Sequence, residues 1–216
     1  SLRIMEELDL LKKAWQKDTH SFEQVTEVEI YKMLHRKSSS IVKWILVISL
    51  LEFGLWALVS FMFNTDDAIK SLHAESFEIY LKIITYVNYA VVFWFIYNFY
   101  RNYARISTTT STKQLMQDII RTRKTVQHYV WYNLFMIFIS TLLGFAMAFI
   151  YNPNMDTLRY QIEHEDGYKT LSITICMVVA TIAVFVGLFW LFYRIIYGTL
   201  LRKLNANYKE LKKIDL

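Results

Sequence analysis

The sequence is poor in residues that interrupt helices and in residues that cross-link chains. Its 216 residues include one proline, five glycines and one cysteine. A lone cysteine, Cys176, excludes a disulfide framework within the chain. Six Gly and Pro residues are too few to turn the corners of a β-sandwich. Disorder is excluded as well, because 55% of the residues are hydrophobic and 17% aromatic, unlike the polar, proline-rich composition of disordered chains. Soluble domains are about 45–50% apolar, so the excess points to an all-α integral membrane protein.

Four apolar runs are long enough for the roughly 20 residues that cross a bilayer core: 41–63, 83–100, 129–151 and 171–196. Each is apolar around its whole circumference, which in so short a chain means lipid rather than a large enclosing core. The remainder divides into an N-terminal segment 1–40, outer loops 64–82 and 152–170, a connection 101–128 and a tail 197–216. Seven Lys or Arg lie in 1–40, six in 101–128 and five in 197–216, against two in each outer loop. The positive-inside rule then predicts cytoplasmic N- and C-termini. The basic balance is read as contact with anionic headgroups, about 1 kcal/mol per Lys or Arg, and not as nucleic-acid binding. Because the first apolar run starts only at residue 41, it is expected to be a retained anchor rather than a cleaved signal. Trp44, Tyr97, Tyr100, Tyr103, Tyr129, Trp131, Tyr132, Tyr151, Trp190, Tyr193 and Tyr197 crowd the span ends, where rings with a polar tip suit the headgroup level.

The cytoplasmic segments have helical periodicity. Residues 2–15 repeat Leu2, Met5, Leu8, Leu11 (or Leu10) and Trp15 at helical spacing, and a second short helix is predicted over about 26–36. Ser38, Ser39 and Ser40 are candidate N-caps for the first span. The hydroxyl run 107–112 should break a helix, with Ser111 and Gln114 as a capping box for the next. From there Leu115, Ile119, Val126 and Val130 keep a 3–4 spacing, predicting one helix from about 112 to 151. The fourth span runs on through Leu201, Leu204, Tyr208 and Leu211. Spans three and four thus extend into a cytoplasmic helical subdomain. Its apolar stripes, with Arg121, Arg123 and Lys124 beside them, either close a bundle within the chain or dock a partner.

Glu52 stands at the middle of the first span, where an acidic residue costs about 2.5–3.5 kcal/mol on insertion scales and should face the bundle or a partner. Asn88, Tyr89, Ser140, Thr141 and Thr181 are the polar groups expected at its depth. Three readings follow: a protonated carboxyl joining helices, a contact to another subunit, or an ion or proton site. Ser140, Gly144 and Ala148, with Ala183 and Gly187, form small-residue stripes that predict a tight pairing of spans three and four, or a homodimer contact.

Catalytic motifs are missing. None of His20, His35, His73, His128 and His164 falls within a span, and there is no HExxH, cysteine pair, phosphate loop or nucleophile elbow, so no cofactor is expected. The best cluster is in the outer loops: Asp66, Asp67, His73, Glu75 and Glu78 in one, Glu163, His164, Glu165 and Asp166 in the other. A solvated rim is the preferred reading, a divalent-cation site the weaker one. Cys176 is read as a small apolar residue of its span.

The stretch Glu7-Leu8-Asp9-Leu10-Leu11-Lys12-Lys13-Ala14-Trp15, then Ile30-Tyr31-Lys32-Met33-Leu34, then Lys37-Ser38-Ser39-Ser40-Ile41-Val42-Lys43-Trp44-Ile45 leading to Glu52-Phe53 resembles a group of uncharacterised small four-span bacterial inner-membrane proteins. The resemblance covers residues 1–56 and implies a shared fold and no established activity. Some members carry a carotene-cleaving monooxygenase label, which needs several iron-binding histidines that the spans here do not contain. The function expected from these observations is a non-catalytic subunit that scaffolds or regulates a larger membrane complex through its cytoplasmic helices. The alternatives are a small transporter or pore component using Glu52, as a homo-oligomer or with a cytoplasmic ATPase, and a membrane enzyme with metal in its outer loops.

Overall fold

The computed structural model describes residues 26–62, 75–164 and 167–214. They form five α-helices and one 3₁₀ turn: α1 (Glu27–Met62), α2 (Glu75–Thr108), α3 (Thr112–Tyr151), the turn Pro153–Met155, α4 (Asp156–His164) and α5 (Gly167–Ile214). No strand occurs among the described residues. The helix predicted over 2–15 and the loop residues Asp66, Asp67, His73, Glu165 and Asp166 lie outside them.

Four of the helices, α1, α2, α3 and α5, are long and apolar enough to cross a membrane. They run up, down, up and down, with neighbours α1–α2, α2–α3, α3–α5 and α5–α1 around the bundle. At 1.5 Å per residue, α3 with 40 residues is about 60 Å long and α5 with 48 about 72 Å, roughly twice the hydrocarbon thickness. Both helices must therefore overhang any bilayer they cross.

A 3–4 repeat builds the contact surface of each helix. The buried residues are Leu34, Ser38, Val42, Ile45 and Ser49 on α1, and Val92, Phe95, Phe99, Asn102 and Ile106 on α2. On α3 they include Leu115, Ile119, Thr122, Val126 and Tyr129, and on α5 Tyr193, Tyr197, Leu204, Asn207 and Leu211. These 3–4 spacings, which average 3.5 residues on α2 and α3, keep one seam facing its neighbours, as in left-handed four-helix bundles. One cluster gathers Leu34, Val42, Ile106, Leu115, Ile119, Leu204 and Leu211 at the end that carries the α2–α3 turn. A second, around Ile45, Phe95, Phe99, Tyr129 and Tyr197, lies next to it. Burial on α1 stops at Ser49 and on α3 at Leu134, while on α2 it begins only at Val92. The bundle is thus packed at one end and loosens toward the other. Apolar seams in water close because each buried Leu, Ile or Phe contributes about 1.5–3 kcal/mol; inside lipid that drive between helices is absent.

Two local expectations need correction. Ser38, Ser39 and Ser40 do not cap the first span, because α1 is one helix from Glu27 to Met62. Ser38 is buried instead, and its Oγ accepts from Asn207 Nδ2 at 3.1 Å, so a small residue serves helix contact. The cap lies at Thr26: Thr26 Oγ1 accepts the Glu29 N–H at 3.3 Å and Glu29 Oε2 accepts the Thr26 N–H at 3.0 Å, a reciprocal capping box. Ser111 does occupy the N-cap of α3 but makes no side-chain capping bond; its carbonyl accepts the Leu115 N–H at 2.9 Å.

The hydroxyl run does end α2, at Thr108. Ser107 and Thr108 donate back to the Ala104 carbonyl, and Thr109 to that of Arg105, so side chains take up carbonyls at the helix end. From α1, Tyr31 donates to the Thr109 carbonyl at 3.1 Å and His35 Nε2 bonds the Ile106 carbonyl at 2.7 Å, tying this turn to the start of the first helix. Asp118 of α3 lies beside it, 3.2 Å from the Thr109 hydroxyl. Burial pushes its carboxyl above the ordinary carboxylate range, against a smaller lowering by the Thr109 bond.

Candidate functional site

Where the packed half of the bundle ends, Glu52 receives three tyrosine hydroxyls. Tyr129 of α3 donates to Oε2 at 2.9 Å, Tyr197 of α5 donates to Oε2 at 3.2 Å, and Tyr193 of α5 donates to Oε1. One carboxylate thereby joins α1, α3 and α5. The donors belong to the same 3–4 seams that build the core: Tyr129 follows Val126, and Tyr193 and Tyr197 precede Leu204. Their rings continue the packing, with Tyr129 edge-on to Phe95 and Phe99, each at 5.4 Å, and to Tyr197 at 5.9 Å. A hydroxyl also accepts hydrogen bonds, so this cluster can hold the carboxyl with or without its proton.

Glu52 also borders a partly open cavity of about 360 Å³ lined by all four long helices. Its polar wall is Asn88, Tyr89, Asn133, Ser140 and Thr141, and its apolar wall includes Phe53, Trp56, Phe185 and Phe189. Asn88 Oδ1 accepts from the Tyr132 hydroxyl at 3.0 Å, and Asn133 Nδ2 donates to the Tyr129 carbonyl at 2.8 Å. Of the groups expected near Glu52, Asn88, Tyr89, Ser140 and Thr141 are therefore brought to one cavity with it, although none bonds its carboxylate. Thr181 is not part of this cavity and donates to the Met177 carbonyl of its own helix at 2.8 Å.

The direct partners of Glu52 were missed because Tyr129, Tyr193 and Tyr197 read as rings at span ends. Apolar-run edges do not fix how far one helix is displaced along its axis against another, and here the stagger brings α3 and α5 tyrosines level with the middle of the apolar run 41–63. Extending the Leu115–Ile119–Val126 spacing by one step reaches Tyr129, so the signal was present.

The small-residue stripes are more open than expected. An added Cβ at Gly144 or Gly187 would meet no atom within 4 Å, and Ser140 and Ala183 are exposed, with Ala148 half-buried. Ala183 and Gly187 instead line an apolar recess with Trp131, Phe135 and Trp190. Helices α3 and α5 make their close contact lower in the bundle, through Val126, Tyr129 and Tyr197.

The residues expected to dock a partner divide into two sets. Leu115, Ile119, Val126, Leu204 and Leu211 are fully buried in the chain's own core, and Tyr208 packs against it. They close a bundle within the chain and offer no surface to a partner. Arg123 Nη1 donates to Asn205 Oδ1 of α5 at 2.7 Å, while Arg121 and Lys124 are exposed. Among the outer-loop candidates, His164 stacks on Tyr160 at 4.5 Å, Glu163 is exposed, Glu75 is the first residue of α2 and His73 lies outside the described residues. No group of three His, Cys, Asp or Glu that could hold a metal ion occurs among the described residues.

No curated protein and no solved structure matches the chain significantly. A family model described as a domain of unknown function (DUF8845) matches residues 28–216, which takes in the five helices except the first residue of α1. The chain belongs to this family.

Proposed function

We propose that the protein is a small membrane carrier, or the membrane component of one, in which Glu52 is the proton or cation site. The observation that carries this reading is the carboxylate at the boundary between packed core and open cavity, with no Lys or Arg among the residues lining that cavity. An ionised carboxylate at that depth requires compensation, and intramembrane ionisable residues mark ion and proton paths. The three hydroxyls keep the group in place through loss and gain of a proton.

The chain sits in a bacterial inner membrane with the packed, basic end in the cytoplasm. That orientation rests on the eighteen basic residues assigned to this end against four at the other. Arg121, Lys124 and their neighbours then meet anionic headgroups. The accessory-subunit role, which rests on much ordered cytoplasmic surface with almost no catalytic residue, is the second reading: Leu115, Ile119, Val126, Leu204 and Leu211 pack within the chain, while Arg121 and Lys124 are exposed. Proton flux into liposomes bearing the wild type or Glu52→Gln tests the carrier reading.

A further inference from the structure

We infer that the Glu52 site takes an amphipathic organic monocation, an alkyl- or arylalkyl-ammonium, which reaches it sideways from the lipid between α1 and α5. The inference rests on the carrier reading for what becomes of the ligand, but the binding site stands on its own geometry. Glu52 borders two cavities. One is the partly open cavity lined by all four long helices. The other is a groove of about 570 Å³ between α1 and α5, lined by Leu51, Leu55, Leu188, Phe192 and other apolar residues. Leu51, Leu55 and Leu188 are exposed on the outer surface of the bundle, where the apolar spans meet lipid. Trp56 and Phe189 line both spaces, with ring centroids 5.9 Å apart, so the two rings stand between groove and cavity.

The chemistry of the lining selects the ligand. A carboxylate offers about four lone-pair positions, and the tyrosines use three, leaving one for an ammonium N–H. No basic side chain lines either space, so the positive charge must come from outside. A bare metal ion would need six or more oxygen ligands. Here Glu52 is the one charged oxygen donor among the lining residues; Asn88, Asn133, Ser140 and Thr141 are neutral, and the groove adds only apolar side chains to Glu52 and Tyr193. Rings of Phe53, Trp56 and Phe189 suit an ammonium group through their faces and its hydrocarbon through burial. Spaces of this size match ordinary small-molecule sites.

Binding of radiolabelled octylammonium to the full chain in nanodiscs, less that to empty nanodiscs, tests this. The expected result is saturable binding, weakened at least tenfold by Glu52→Gln, with neither octanol nor octanoate competing. Affinity should rise from propyl- to octylammonium as the tail fills the groove. Leu55→Trp, a change on the lipid face that leaves Glu52 and its tyrosines intact, should abolish that rise while short ammonium ions still bind. Overturning results are no saturable binding, equal binding by correctly folded Glu52→Gln, competition by octanol, displacement by sodium alone, or a chain-length dependence untouched by Leu55→Trp. Glu52-dependent proton flux without ammonium binding would overturn the ligand class and leave the carrier standing; ammonium binding without flux would do the reverse.

Discussion

The Tyr129 hydroxyl donates to Glu52 Oε2 at 2.9 Å, joining α3 to the C-terminal third of α1 across the bundle. A hydrogen bond to a charged group contributes about 1.5–3 kcal/mol. Tyr129→Phe should lower stability by about that amount while preserving the ring contacts with Phe95 and Phe99. Combined with Glu52→Leu, it should cost clearly less than the sum of the two single changes, because the shared bond is lost only once. Unfolding in mixed micelles of increasing denaturing-detergent content measures both. Additive losses would mean that the two residues do not interact.

Ser38 and Ser40 are two residues apart on α1 and should differ in their tolerance of bulk. Ser38 is fully buried against Asn207, whereas Ser40 is exposed. Ser38→Leu should destabilise by about 1–3 kcal/mol through overpacking and the loss of a partner for Asn207. Ser40→Leu should change stability by less than about 0.5 kcal/mol. Thermal unfolding followed by circular dichroism distinguishes them; similar effects would argue that the serines flank a helix start instead.

Glycine substitutions separate open from crowded positions. Gly144→Ala and Gly187→Ala should be neutral or stabilising by up to about 1 kcal/mol, since alanine favours helix and the new methyl meets nothing within 4 Å. At Gly167 the same methyl would stand 2.1 Å from the Ile162 carbonyl oxygen. Gly167→Ala must therefore shift backbone, with an expected loss of about 1–3 kcal/mol. Destabilisation at Gly144 and Gly187 equal to that at Gly167 would show that the small stripes are contact surfaces after all.

Asp118 gives a pH dependence of defined sign. Burial raises its carboxyl above the ordinary range, so the folded protein holds this proton to higher pH than the unfolded chain does. The associated stability is fully present below the ordinary carboxyl value and is lost as pH rises through the raised one. Arg121, 3.8 Å away and largely exposed, offsets this only weakly. Asp118→Asn should therefore be more stable than the wild type at pH 7, and the difference should shrink as pH falls toward about 4. Melting temperatures of both proteins across that range check it; a less stable variant at pH 7 would mean that the ionised carboxylate is stabilising.

The long helices were legible because their signals are local. The hydroxyl run 107–112, the Leu115–Ile119–Val126 spacing and the apolar run to residue 151 set both ends of α3 near their observed positions, Thr112 and Tyr151. The continuity of α1 was less legible, since Ser38 is equally suited to a cap and to a close helix contact, and only the position of Asn207 decides between them. Glu52 stood out through its cost in a span. Its tyrosine partners depend on the stagger of α1 against α3 and α5, a tertiary quantity that no single helix encodes. The openness of Gly144 and Gly187 has the same origin: a small residue permits close approach but does not require it.

Proton flux through the reconstituted protein reads the role of Glu52 itself. Purified protein in liposomes with an imposed pH gradient and an internal pH-sensitive dye should dissipate the gradient faster than empty liposomes. Glu52→Gln, reconstituted at equal density with unchanged helical content, should return the rate to that of empty liposomes, and Glu52→Asp should retain part of it. A wild-type rate equal to that of empty liposomes, or an undiminished rate in Glu52→Gln, would contradict the assignment of Glu52 as the working site.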